Sequence, residues 1–89
     1  MSATREVEIT NRRGLHARAS AKFVTLASTQ PIPVTVAKGG SEVTGTSIMG
    51  LMMLGAAKGD HITISADGDA AEDAVQAMCA LVEDKFGED

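Results

Sequence analysis

A histidine stands where a loop gives way to a helix: His16 follows Gly14-Leu15 and is followed two residues on by Arg18. A helix N-terminus leaves backbone N–H groups unpaired and carries a partial positive charge, so it holds anions. An acidic cap would fill that place from within and repel a phosphate. Here the position is an imidazole and the first turn carries a cation, the reverse of ordinary helix-start electrostatics. Neutral imidazole is a nucleophile, and the first-turn N–H groups of Ala17 and Arg18, with the Arg18 side chain, are suited to hold a phosphoryl group formed on it. His16 is thus the candidate acceptor and Arg18 the group that stabilises the phosphate. A histidine that does no more than cap the helix fits the same residues.

A second segment, Ser47-Ile48-Met49-Gly50-Leu51-Met52-Met53-Leu54, is apolar nearly all the way round. A small domain whose helices cover one side of a sheet cannot enclose such a helix. Leu51 and Leu54, three apart, are the core pair, while Ile48, Met49, Met52 and Met53 face solvent as an adaptable docking surface. A greasy core helix or a homodimer contact is the competing use of the same side chains. Ser47 is a natural N-cap, and phosphorylation there would set about two negative charges beside the patch without opposing the helix dipole.

Other candidates carry less. His61 has no metal-ligating partners at the usual spacings and reads as a surface or structural residue, so no metal site is expected. A hydrolase would need a second titratable group near His16, where the neighbouring sequence offers only arginines. The lone Cys79 reads as a core thiol, with no partner for an intrachain disulfide.

The elements that must position these residues follow from periodicity. Val7 and Ile9 alternate in a first strand over residues 5–10, and a helix spans His16 to Ser28 with a stripe of Ala19, Phe23, Leu26 and Ala27. Ile32, Val34 and Val36 mark a second strand, with Pro33 turned from the ladder or towards an edge. Lys38-Gly39-Gly40-Ser41 turns a hairpin into Glu42-Val43-Thr44. A short helix runs from Ile48 to Leu54 with Gly55 as its stop, and His61 to Ala66 form the fourth strand. Asp69 and Glu72 have capping-box spacing before a last helix whose stripe is Val75, Met78, Cys79, Val82 and Phe86. Each strand has one apolar face, so an α+β fold is expected, with an antiparallel or mixed sheet and its helices stacked on one side.

Composition narrows the class. The 89 residues suffice for one domain, residues 1–89, and 44% hydrophobic against 22% charged residues is a globular balance. An aromatic share of 2% and a net charge of −4 argue against nucleic acid as a partner. The charge is uneven: residues 1–44 hold six basic and three acidic side chains, and residues 45–89 hold two basic and nine acidic. The basic part includes Arg12, Arg13, Arg18 and Lys22 around His16, as a specific anion would require. No apolar leader core or membrane span of about 20 residues is present, so a cytoplasmic protein is expected, with no membrane association.

Asn11-Arg12-Arg13-Gly14-Leu15-His16-Ala17-Arg18 resembles the active-site segment of the histidine-containing phosphocarrier family, HPr, of the bacterial phosphotransferase system. The likeness continues through Ser47 to Gly55, similar to the family's serine-phosphorylation segment, and through Gly59-Asp60 into the fourth strand. It implies an open-faced β-sandwich of four antiparallel strands under three helices, in the order β-α-β-β-α-β-α. It implies phosphorylation of His16 on Nδ1 by phospho-enzyme I, itself charged by phosphoenolpyruvate, and onward transfer to an enzyme IIA. Arg18 matches the active-site arginine, Ser47 the serine modified by HPr kinase/phosphorylase where that enzyme exists, and Ile48, Met49 and Met52 the docking positions. Such a protein is a monomeric carrier without cofactor or independent turnover. Ala19 replaces the proline of many sugar-transport members and resembles the nitrogen-regulatory branch, whereas Ser47-Ile48-Met49-Gly50 resembles kinase-competent members. A regulatory or interaction module acting through the Met-rich helix without phosphotransfer is the alternative.

Overall fold

The computed structural model describes residues 1–88. Four strands, β1 (Ser2–Glu8), β2 (Val34–Lys38), β3 (Ser41–Thr44) and β4 (His61–Asp67), form one antiparallel sheet in the order β1-β4-β2-β3. Three helices, α1 (Ala17–Ala27), α2 (Ile48–Met53) and α3 (Ala71–Glu83), cross between strands or close the fold, so each strand shows one face to helices and one to water. Along β4, Ile62, Ile64 and Ala66 are buried and alternate with exposed or half-buried neighbours. The core joins these to Val7, Val34 and Val36 from the sheet, to Ala19 and Phe23 of α1, and to Ala74, Val75, Met78, Cys79 and Val82 of α3. No helix among the described residues is long and apolar enough to cross a membrane.

The expected elements are present, with shifted ends. β1 begins three residues early and stops before Ile9, because β4 pairs with it from Ser2↔Asp67 to Glu8↔His61. Ile9 is still fully buried and holds the loop at Gly59 and Asp60 by two backbone bonds of 2.8 Å. β2 starts only after Pro33, which removes the prolyl nitrogen from the ladder. The Gly39-Gly40 turn closes the β2–β3 hairpin, with Gly39 in the left-handed region at φ 59°.

Two expectations about the C-terminal third are corrected. Asp69 does not cap α3: the cap position is Ala70 with no side-chain bond, and the Ala71 N–H is instead satisfied by the Gly68 carbonyl at 3.1 Å. The acids Glu72 and Asp73 lie in the first turn, where they suit the dipole. Phe86 is buried as expected but is not on α3, which ends at Glu83. It lies in a 3-10 turn, Lys85–Gly87, where Lys85 and Phe86 adopt φ of 57° and 56°. Two consecutive non-glycine residues in that region cost about 1–3 kcal/mol each. Burial of the Phe86 ring offsets part of that cost, as does a 2.8 Å bond from Lys22 Nζ of α1 to the Phe86 carbonyl. The turn sends the chain back towards the start of α1.

Burial pushes the Cys79 thiol up from its ordinary pKa, so this core cysteine is a poor nucleophile at neutral pH.

Candidate functional site

The residues ahead of α1 are shaped by a turn, with the Gly14 N–H donating to the Asn11 carbonyl at 3.2 Å. Gly14 has φ 65°, and a Cβ there would lie 2.3 Å from the Ala56 carbonyl oxygen. Only glycine lets this loop pass so close to the chain after α2, where the Leu15 N–H binds the same carbonyl at 2.9 Å. Leu15 is buried, and the next residue, His16, takes the N-cap position with extended backbone while its carbonyl accepts the Ser20 N–H at 2.8 Å. His16 Nδ1 accepts the Arg18 backbone N–H at 3.3 Å. Ala19 is fully buried inside α1.

His16 Nε2 lies 2.8 Å from Glu88 Oε1. A carboxylate accepts and cannot donate, so Nε2 carries the hydrogen. The same tautomer suits Nδ1, which accepts from Arg18, and it leaves the Nδ1 lone pair as the nucleophile. Arg12, Arg13, His16, Arg18 and Glu88 line one shallow cavity, in which Glu88 is the one acid among the described residues. Guanidinium groups around an imidazole at a helix start make a place for a tetrahedral oxyanion.

The neighbouring sequence offers His16 only arginines, and the fold adds Glu88, a residue of this cavity that reading by neighbourhood did not find. Seventy-two residues separate the pair, and the strained turn at Lys85–Gly87 joins them. Asn11, fully buried, was likewise missed. Its Nδ2 donates to the Gly14 carbonyl at 2.8 Å and to Glu88 Oε1 at 3.1 Å. No sequence signal short of the fold marks either contact.

The hydrogen bond from His16 is the main cause that holds the Glu88 carboxyl below its ordinary pKa, with Asn11 and the Lys22 charge adding to it and partial burial opposing it. A carboxyl whose folded pKa is lowered stabilises the fold fully above its unfolded value, about 4.3 for glutamate, and loses that contribution as pH falls through the folded value. Glu88→Gln is therefore expected to be less stable than wild type near neutral pH and to converge with it at the acid end of that window. Urea unfolding of both proteins across the window checks this; curves separated by a constant amount at every pH contradict it.

Ser47 caps α2 as expected, its Oγ accepting the Gly50 N–H at 3.0 Å. A Cβ at Gly50 would sit 3.0 Å from both Ser47 Oγ and Val43 Cβ of β3, close enough that these neighbours would have to give by a few tenths of an ångström. Leu51 and Leu54 are buried, while Met49 and Met53 are 70% and 80% exposed and Ile48 and Met52 are exposed to a lesser degree. The His16 loop is tied to the segment just beyond α2 by the Leu15–Ala56 hydrogen bond. His61 is exposed at the start of β4. Among the described residues no cluster of His, Cys, Asp and Glu is disposed to hold a metal.

The family model for the PTS HPr component phosphorylation site matches residues 3–84. Phosphocarrier protein HPr of Neisseria meningitidis serogroup A is 50% identical over 82 residues, 92% of each chain. Phosphocarrier protein NPr of Shewanella violacea is 42% identical over 84 residues, covering 94% of this chain and 92% of that one. The fold is similar to the crystal structure of HPr-C-His from Thermoanaerobacter tengcongensis, with a TM-score of 0.91 and 42% identity over 98% of both chains.

Proposed function

The chain belongs to the HPr family and is a phosphocarrier of the phosphotransferase system, and from that premise we propose that His16 Nδ1 is the atom that carries the phosphoryl group. The observation that supports this most is the Nε2–Glu88 contact of 2.8 Å, which leaves the lone pair on Nδ1. In the transfer, that lone pair forms a P–N bond as the donor's bond to phosphorus breaks and its electron pair departs with the donor. The ring keeps its Nε2 hydrogen and gains positive charge, which the Glu88 carboxylate stabilises as it would any imidazolium. The Arg18 N–H, released from Nδ1, and the Ala17 N–H turn to phosphate oxygens, with the Arg18 guanidinium beside them. Passing the group on reverses each step, so the chain needs no turnover of its own and works in the cytoplasm as a shuttle.

The donor is phospho-enzyme I and the acceptor an enzyme IIA, both meeting the carrier through His16, Ile48, Met49, Met52 and Met53. Where an HPr kinase/phosphorylase is present, Ser47 is its target. The test of the acceptor atom is incubation with phosphoenolpyruvate and enzyme I, followed by mapping of acid-labile phosphate and NMR of the labelled ring. Phosphate at Nδ1 of His16 is the expected result; phosphate on another residue, or at Nε2, overturns the assignment.

Ser47→Asp tests the docking surface. Aspartate caps a helix as well as serine does, so the melting temperature is expected to stay within a few degrees of wild type, on the order of the shift from a few tenths of a kcal/mol. The charge falls beside an apolar patch and is expected to weaken binding to enzyme I about tenfold or more, since one desolvated charge is worth more than 1.4 kcal/mol at a contact. Titration calorimetry with enzyme I measures it, and unchanged affinity removes Ser47 from the docking surface.

A further inference from the structure

Beneath the phosphate cavity lies a side chain to which transfer itself assigns no part. Asn11 is fully buried in a loop where polar side chains ordinarily reach water, and its amide is used unevenly. Both Nδ2 hydrogens are spent, one on the Gly14 carbonyl at 2.8 Å and one on Glu88 Oε1 at 3.1 Å, while Oδ1 is buried without a partner among the described residues. An unpaired buried acceptor is costly, so the two donor bonds are what the site gains from an amide here. A brace for the loop needs only the first. The second reaches across 77 residues to the carboxylate that touches His16.

We infer that Asn11 is a positioning residue of the phosphoryl acceptor: by holding Glu88 Oε1 against His16 Nε2, it selects the ring tautomer whose free nitrogen is Nδ1. Glu88 sits at the end of a short turn, and three bonds restrain that turn against the start of α1: Lys22 Nζ to the Phe86 carbonyl at 2.8 Å, Asn11 to Glu88, and His16 to Glu88. Lys22 holds the backbone two residues before Glu88 and leaves its side chain free to rotate. Among the described residues Asn11 alone, apart from the histidine, grips the carboxylate. Oε1 receives both N–H groups, so the amide restrains the oxygen that the imidazole meets. Without it the carboxylate can swing to Arg12, Arg13 or Arg18, which line the same cavity, and the ring is then free to place its hydrogen on Nδ1.

The inference deepens the reading of His16 as acceptor and rests on it for its consequence in transfer. The experiment reads the ring directly, by two-bond proton–nitrogen correlations on nitrogen-labelled protein, in wild type, Asn11→Ala, Asn11→Asp, Glu88→Ala and the Asn11→Ala/Glu88→Ala double variant, with transfer rates from phospho-enzyme I beside them. Wild type is expected to hold the Nε2–H form. Asn11→Ala and Glu88→Ala are each expected to raise the Nδ1–H share and slow transfer about tenfold, the size usual for losing a group that orients a functional histidine. The double variant is expected to match Glu88→Ala. Asn11→Asp keeps the volume but sets a carboxylate against Glu88, so it is expected to shift the ring at least as far as alanine does. A brace of the loop alone would lower the melting temperature equally in both backgrounds and leave the tautomer as in wild type; that result overturns the inference. So does an unchanged ring in Glu88→Ala, a measurement that does not depend on any Asn11 variant folding. If wild type takes no phosphate at His16, it is the acceptor reading that fails, which the labelling arm reports separately from the tautomer.

Discussion

Replacing Gly14 by alanine is expected to destabilise the protein by about 3 kcal/mol or more and to slow phosphoryl acceptance by about two orders of magnitude. Two independent costs add. The left-handed backbone at φ 65° charges any residue with a Cβ about 1–2 kcal/mol. The new Cβ would also lie 2.3 Å from the Ala56 carbonyl oxygen and 2.9 Å from Ala57 Cα. Both are backbone atoms, so no side chain can rotate away and the loop itself must lift. Gly39 provides the control: its φ is 59°, but nothing lies within 4 Å of a Cβ there. Gly39→Ala should show the conformational cost alone, and the difference between the two variants isolates the collision. At about 4–8 °C per kcal/mol for a domain of this size, Gly14→Ala should melt some 10 °C or more below wild type. The functional loss has a geometric origin, since His16 is two residues beyond Gly14 and an error of about 1 Å at a reacting atom costs on the order of a hundredfold. Equal melting temperatures for Gly14→Ala and Gly39→Ala would contradict the close approach to Ala56.

His16→Ala is expected to abolish phosphate acceptance altogether while the fold persists. Among the described residues no other side chain in the cavity can hold a lasting phosphate, since the guanidinium groups of Arg12, Arg13 and Arg18 have no lone pair to offer and the Glu88 carboxylate would form only a labile acyl phosphate. The structural cost is loss of an N-cap acceptor, about 1 kcal/mol, together with loss of the Nε2–Glu88 bond, with no core packing lost because the ring is outside the buried core. Labelling should fall below detection with a melting temperature lower by at least about 4–8 °C. The same variant separates a carrier from a pure interaction module. A module that binds through Ile48, Met49, Met52 and Met53 would lose nothing with His16, whereas the carrier keeps its affinity for enzyme I and loses transfer. Undiminished labelling of His16→Ala would refute the assignment outright.

Much of this site was legible along the chain because its signals are local. A cap, a first-turn arginine and the glycine before them lie within five residues, and the Ser47 cap and Met-rich stripe within eight. Helical spacing sorted Leu51 and Leu54 from Met49 and Met53 correctly, since 3.6 residues per turn leaves little choice about which side chains share a face. The errors lie where a backbone bond competes with a local pattern. Asp69 and Glu72 have capping-box spacing, but the Gly68 carbonyl reaches the Ala71 N–H first. Phe86 continues the α3 stripe in register, yet the helix stops at Glu83 and the ring enters the core from a left-handed turn.

The sequence by itself determined a histidine followed by an arginine at a helix start, an apolar surface beside a serine cap, and an α+β sheet with one wet face. Each depends on residues near one another in the chain, where spacing is geometry. The tertiary structure alone decided which nitrogen of His16 is free. That choice belongs to Glu88 and Asn11, 77 residues apart, which meet only because the chain after α3 turns back on itself and α1 holds it there. Contacts closed across such a separation leave no period or motif in the sequence, since nothing short of the folded core sets the distance between their partners.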